Sequence, residues 1–141
     1  MIHSIRLCNF QGHEDTLIEL SPGVNVILGD PDSGKTSLLR ALNWLRTNRP
    51  GGDRFVRHGS DGKTSVEIVV SGVDGKRHIV ERYRSKTLNG YKVDGREYTG
   101  MGQDVPDEVK EILNLGDINV QNQLEKHFLV LNPPGQLSNR I

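Results

Sequence analysis

Cysteine is nearly absent from this chain, with Cys8 alone among 141 residues, so no internal disulfide framework can form. No His or Asp motif accompanies that thiol, and Cys8 reads as a buried strand residue rather than a nucleophile. The five histidines (His3, His13, His58, His78, His127) lack metal-ligand spacing, which leaves no reason to expect zinc. Excess charge is also missing. The 18 basic and 18 acidic side chains cancel, so no global field selects nucleic acid or an anionic membrane, and only local patches could do so. Apolar runs extend over only a few residues, too short for a membrane span, and the N-terminus has no apolar signal-peptide core. A cytoplasmic protein with no membrane partner is the expectation. Aromatic residues make up only 5%. Trp44 is expected in the core or an interface rather than under an adenine, and Tyr83, Tyr91 and Tyr98 fit strand packing.

The chain does have the length for one domain that buries about two thirds of its unfolded surface. Within it lies Gly29-Asp30-Pro31-Asp32-Ser33-Gly34-Lys35-Thr36, a complete G-x-x-x-x-G-K-[ST] phosphate-binding loop followed by Ser37. Val24-Asn25-Val26-Ile27-Leu28 before it is suited to a buried strand. Thr36 to Asn48 after it places Leu38, Ala41, Leu42 and Leu45 on one helical face. Strand, Gly-rich turn and helix are the order this chemistry requires. Gly29 and Gly34 let successive N–H groups turn inward around phosphate oxygens at the positive end of the helix. Lys35 is placed to reach the β- and γ-phosphates of ATP, and the Thr36 hydroxyl to join the shell of a Mg²⁺ ion. Asp32 adds a carboxylate beside the phosphates, at a position where left-handed backbone remains accessible to Asp.

Elsewhere, Ile2 to Phe10 alternates apolar and polar residues, and Thr16 to Leu20 follows a polar turn, so three strands are expected in the first thirty residues. Pro50-Gly51-Gly52 stops the helix. Ser65 to Ser71 and Arg77 to Tyr83 form a hairpin about Val73-Asp74-Gly75, and Asp94-Gly95 turns a shorter one between Tyr91-Lys92-Val93 and Arg96-Glu97-Tyr98. Pro106 opens a helix to about Leu113, with Asp104 as its expected cap. Residues 1–50 thus hold strands, loop and helix, 61–100 a β-hairpin region, and 101–141 a helix and a mixed terminal segment, all in one domain. This is not the regular βαβαβ alternation of a nucleotide kinase.

Asn9-Phe10-Gln11-Gly12-His13, Gly23 to Gly29, the loop, and Leu38-Leu39-Arg40-Ala41-Leu42 together resemble the N-terminal half of the ABC-type ATPase head of SMC-like proteins. Within that group the likeness is to SbcC, RecF and the phage and prokaryotic recombination ATPases. Asn48-Arg49-Pro50, Phe55-Val56-Arg57-His58-Gly59, Val105-Pro106 and Asn119-Val120-Gln121-Asn122-Gln123 extend it across nearly the whole chain. The resemblance implies an α/β P-loop NTPase fold with a mixed sheet, an antiparallel hairpin region and one loop helix. It also implies a DNA repair or recombination ATPase whose two heads clamp ATP and Mg²⁺ between them. A Q-loop glutamine then joins the metal and the attacking water, and Gln121 fits that role best, with Gln123 the alternative. His13 matches a position near the nucleotide, whereas Gln11 stands where relatives often have Arg.

A hydrolysing head also needs an apolar strand ending in Asp-Glu and a Ser-Gly-Gly-type signature. Neither occurs in the chain. The resemblance places both in a C-terminal lobe, so the chain is expected to be the N-terminal half of a head that alone turns over little ATP. The partners implied are that lobe, a second head, a nuclease subunit and DNA. Arg46, Arg49, Arg54, Arg57 and His58 around one loop, and Arg77, Arg82, Arg84 and Lys86 on or beside the hairpin, are the candidate DNA contacts. Two other classes are a non-hydrolysing ATP-gated interaction module and a small P-loop kinase.

Overall fold

The computed structural model describes residues 1–30 and 34–114. Six strands form one antiparallel sheet: β1 (Ile2–Phe10), β2 (His13–Glu19), β3 (Thr64–Ser71), β4 (Arg77–Arg84), β5 (Asn89–Val93) and β6 (Arg96–Thr99). Their spatial order is β2-β1-β3-β4-β5-β6, so only the step from β1 to β3 leaves the hairpin path, and α1 (Lys35–Thr47) lies in that excursion. A second helix, α2 (Asp107–Leu113), follows the last strand.

The period of two along each strand builds the core. One row across the sheet reads Ile18, Ile5, Ile68, Val80 and Val93. The adjacent inward row reads Thr16, Leu7, Val66, Arg82, Tyr91 and Tyr98. Leu38, Ala41, Trp44 and Leu45 of α1 and Val109 and Leu113 of α2 join the same core, as expected from their helical spacing. Phe10, Trp44 and Phe55 meet beneath α1, with Phe10 and Phe55 stacked at 4.9 Å and Trp44 tilted 5.6 Å from Phe55. Trp44 is therefore core.

Arg82 occupies an inward position and is 3% exposed, so it is not a candidate DNA contact as the basic composition of β4 suggested. Its alternation with Val80 fixes the direction. Its Nε donates to Asn48 Oδ1 (3.0 Å), and its Nη1 donates to the carbonyls of Tyr83 and Gly90. The guanidinium lies over the Trp44 and Tyr91 rings at 4.6 and 5.1 Å. Burial lowers its pKa, and Tyr91 opposes that shift. Asn48 caps α1 in left-handed conformation, its own N–H bonding the Trp44 carbonyl. Asn48 Nδ2 donates to the carbonyls of Gly102 and Asp104. Asp104 thus contributes its carbonyl to this network, and α2 has no side-chain cap. The α2 helix is instead anchored through Glu108, whose carboxylate accepts from Arg96 and Tyr98 of β6.

The strand expected at Val24–Leu28 does not form. Val24, Val26 and Leu28 are 94%, 74% and 87% exposed. Among the described residues no strand lies beside this run to take its N–H and C=O groups. Asn25 instead folds back, accepting from the Ser21 N–H and donating to the Ser21 and Gly23 carbonyls, the local competition that short polar side chains offer a strand. All pairing among the described residues is antiparallel.

His78 joins the two hairpin turns. Nδ1 bonds Asp94 at 2.7 Å and Nε2 bonds Asp74 at 2.9 Å. Asp94 chiefly, and then Asp74, raise the His78 pKa; Asp94 is lowered chiefly by His78, and Asp74 by the Lys76 backbone N–H and then by His78. The raised histidine contributes stability that is full below its ordinary 6.5 and is lost as pH rises through the folded value. The depressed carboxyls contribute stability present above 3.8 and lost as pH falls through their folded values. The difference in melting temperature between the native chain and His78→Gln should therefore be greatest between those ordinary values and shrink on either side. Separately, Asn48→Ala should cost about 2–3 kcal/mol in urea denaturation, because it strands a buried guanidinium N–H and two carbonyls. Arg84→Ala, which removes only an exposed pair with Asp53, should cost less than about 1 kcal/mol.

Candidate phosphate-binding site

The site is built where the β1–β2 turn meets the start of α1. Gly34 precedes the helix with φ +88°, a conformation that L side chains rarely adopt. A Cβ there would also lie 2.6 Å from His13 Nε2. The Gly34 carbonyl accepts from the Ser37 N–H (3.1 Å) and from His13 Nε2 (3.0 Å). That bond makes Nε2 the donor, so in the neutral ring Nδ1 accepts from the Thr16 hydroxyl at 2.9 Å. His13 thus stands at the start of the loop helix.

The Lys35 ammonium donates to the carbonyls of Gly29 and, at 2.9 Å, Asp30, which puts it over the loop backbone where phosphate oxygens are expected. Thr36 is exposed, and its hydroxyl has no partner among the described residues. Ser37 is buried and donates to Gln11 Oε1 at 2.7 Å. Gln11, on left-handed backbone at φ 49°, also accepts from Arg40 at 3.4 Å. The structure therefore brings together His13, Gly29, Asp30, Gly34, Lys35, Thr36 and Ser37. Pro31, Asp32, Ser33, Gln121 and Gln123 lie outside the described residues.

Sequence reasoning missed Thr16 and the Gln11–Ser37 bond. The β2 alternation could have shown Thr16, but the left-handed Gln11 that aims its carboxamide at α1 has no sequence signal. Of the basic residues singled out, Arg57 pairs with Glu14, Arg84 with Asp53 and Lys86 with Asp61, so these are largely matched surface charges. Arg46 bonds Asn43. Cys8 is half-buried rather than buried, with Sγ 3.6 Å from Asp15, and desolvation raises its pKa.

The family model of the AAA domain matches residues 4–136. The chain belongs to the AAA-domain family. It is 38% identical over 99 residues to the DNA double-strand break repair Rad50 ATPase of Pyrococcus abyssi, covering 65% of this chain and 11% of that protein. With the Rad50 ATPase of Methanopyrus kandleri it shares 32% over 132 residues, covering 85% of this chain and 15% of the relative. The DNA replication and repair protein RecF of Idiomarina loihiensis is 35% identical over 96 residues, 65% of this chain and 27% of RecF. This AAA domain thus spans a small part of the curated relatives' length.

Solved structures agree on the fold. The recombination mediator RecF with ATP superposes with a TM-score of 0.65 at 23% identity, covering 74% of this chain and 30% of that one. A chain from the structural biochemistry of ATP-driven dimerization and DNA-stimulated activation of SMC ATPases gives 0.71 at 18% identity, covering 99% and 98%. The AAA domain described here therefore has the fold of these P-loop ATPase heads. No helix among its described residues is long and apolar enough to cross a membrane.

Gly34→Ala should lower stability by about 1–2 kcal/mol from the left-handed backbone alone, and by more from the overlap with His13. Adding His13→Ala should restore the overlap part and leave the backbone part. Equal melting temperatures for Gly34→Ala with and without His13→Ala would show that the ring makes no close approach to Gly34.

Proposed function

We propose that this AAA domain is the ATP-binding N-terminal lobe of an ABC-type head in a DNA repair or recombination ATPase. The observation that carries the reading is the cradle at Gly34, kept free of a side chain and held by His13, with Lys35 and an unengaged Thr36 beside it. These residues fit a triphosphate with its metal: Lys35 and the loop backbone would hold the phosphates, and Thr36, with Gln121 or else Gln123, would hold Mg²⁺. The bound ATP–Mg²⁺ supplies a phosphoanhydride whose cleavage can drive a change of state.

The chain's own residues do the positioning. Lys35 exchanges its contacts with the Gly29 and Asp30 carbonyls for phosphate oxygens, and His13 holds Gly34, the residue before α1, against the sheet. The Val24–Leu28 run, unpaired among the described residues, would be the strand that a C-terminal lobe completes, and that lobe would bring the Asp-Glu strand and the signature. A second head would close the ATP between two copies, a DNA duplex is the macromolecular ligand, and a nuclease subunit is the further partner. The chain by itself then binds ATP and turns over little.

Charge-assisted contacts of the Lys35 kind are worth about 1.5–3 kcal/mol. Lys35→Ala should therefore weaken ATP binding about ten- to a hundredfold by calorimetry, with melting temperature unchanged. Unchanged affinity would remove the phosphate-loop assignment.

A further inference from the structure

An open cleft of about 420 Å³ lies beside α1. It is lined by Gln11, Arg40, Asn43, Pro50, Arg54 and Phe55. Two backbone bonds fix its walls: Gln11 N–H to the Phe55 carbonyl at 2.7 Å and Arg57 N–H to the Asn9 carbonyl at 2.9 Å. They hold the segment carrying Arg54 against the β1–β2 turn, across from Arg40 on α1.

The lining is chemically one-sided. Among the described residues no carboxylate lines the cleft, and neither Arg40 nor Arg54 has an ion-pair partner. Gln11 Oε1 is already taken by Ser37 and Arg40, and Asn43 Oδ1 by Arg46. Both carboxamides also offer N–H₂ groups, and Asn43 Oδ1 keeps one acceptor position. The cleft therefore presents more guanidinium and amide donors than acceptors, the complement of an oxyanion that accepts several hydrogen bonds at once.

We propose that this cleft is a second phosphate subsite, separate from the loop at Gly29 to Thr36, and that it takes a backbone phosphodiester of DNA. The triphosphate already has its cradle at the loop. Arg49, exposed and with no partner to its guanidinium among the described residues, stands on the same loop as Arg54 and lengthens the cationic strip beyond what one phosphate needs. With zero net charge on the chain, attraction to a polyanion has to come from such a local strip. The inference rests on the DNA-engaging reading above.

The test is binding of a fluorescein-labelled duplex to the 141-residue chain over a salt series, beside titration with a fluorescent ATP analogue. Arg54→Gln should reduce the slope of log K against log salt by about 0.9, and Arg40→Gln with Arg54→Gln by about 1.8, at unchanged analogue affinity. Arg54→Lys keeps the charge and should keep the slope. Both arginines are exposed, so melting temperatures should match the native chain. An unaltered slope in the double variant, with the native chain still binding duplex, overturns the subsite and leaves the DNA reading standing. Loss of analogue affinity with no change of slope also overturns it, by assigning the donors to the nucleotide's own phosphates. No duplex binding by the native chain, even at low salt, removes the DNA reading for this chain and the subsite with it.

Discussion

The contact between Arg82 and Asn48 holds the two layers of this domain in register. A guanidinium placed in a row of Leu7, Val66 and Tyr91 would be expensive if it faced only hydrocarbon. No carboxylate meets it among the described residues. Carbonyl oxygens from Asn48, Tyr83 and Gly90 and the faces of Trp44 and Tyr91 replace its water instead. Such an arrangement tolerates little slippage, because each acceptor comes from a different turn or strand. Asn48 extends it to the Gly102 and Asp104 carbonyls, so the C-terminal end of α1, strand β4 and the approach to α2 share one polar node.

The other end of α1 is fixed by a different kind of contact. His13 reaches from the start of β2 to the Gly34 carbonyl, and Ser37 binds Gln11 in the same turn. A helix held at both ends against one sheet presents its first N–H groups in a constant direction. Electrostatic stabilisation of an anion depends on that constancy, because dipoles that need not reorient lose nothing on binding. The sheet thus acts as the mount for the phosphate loop, with its aromatic cluster at Phe10, Trp44 and Phe55 filling the space beneath the helix.

Local signals made most of this legible. The two D-G turns, the alternation in β1, β3 and β4, and the spacing of Leu38, Ala41 and Leu45 each report one element, and each element is present. His13 and Lys35 were legible because a motif fixes their place relative to the helix. Arg82 was misread by composition although the alternation with Val80 carried the answer: charge suggested the surface, and the pleat decided otherwise. Gln11 and Asn9 were beyond sequence reasoning, since left-handed backbone at non-glycine residues follows from the tertiary turn that imposes it. The role of Asp104 failed for a related reason, because the demand of a buried Asn48 side chain, remote in sequence, determined how its carbonyl is used.

Val24–Leu28 shows the limit from the opposite direction. Its apolar residues carry a strand signal as strong as that of β3, yet only β3 is a strand. The difference lies in the neighbours: β3 has β1 and β4 on either side, while the run before the phosphate loop has none among the described residues. Strand propensity describes how well a side chain fits a pleated, half-buried surface, so it has no effect until such a surface exists. The motif consequently lies in sequence between a helix fixed at both ends and a run with no strand beside it among the described residues. In the proposed head, pairing of that run would fix the loop's second end, and a loop fixed at both ends loses less freedom when it closes on phosphate. Completing the sheet and tightening the nucleotide site would then be one event, which makes the affinity of this domain for ATP a property of its partner as much as of its motif.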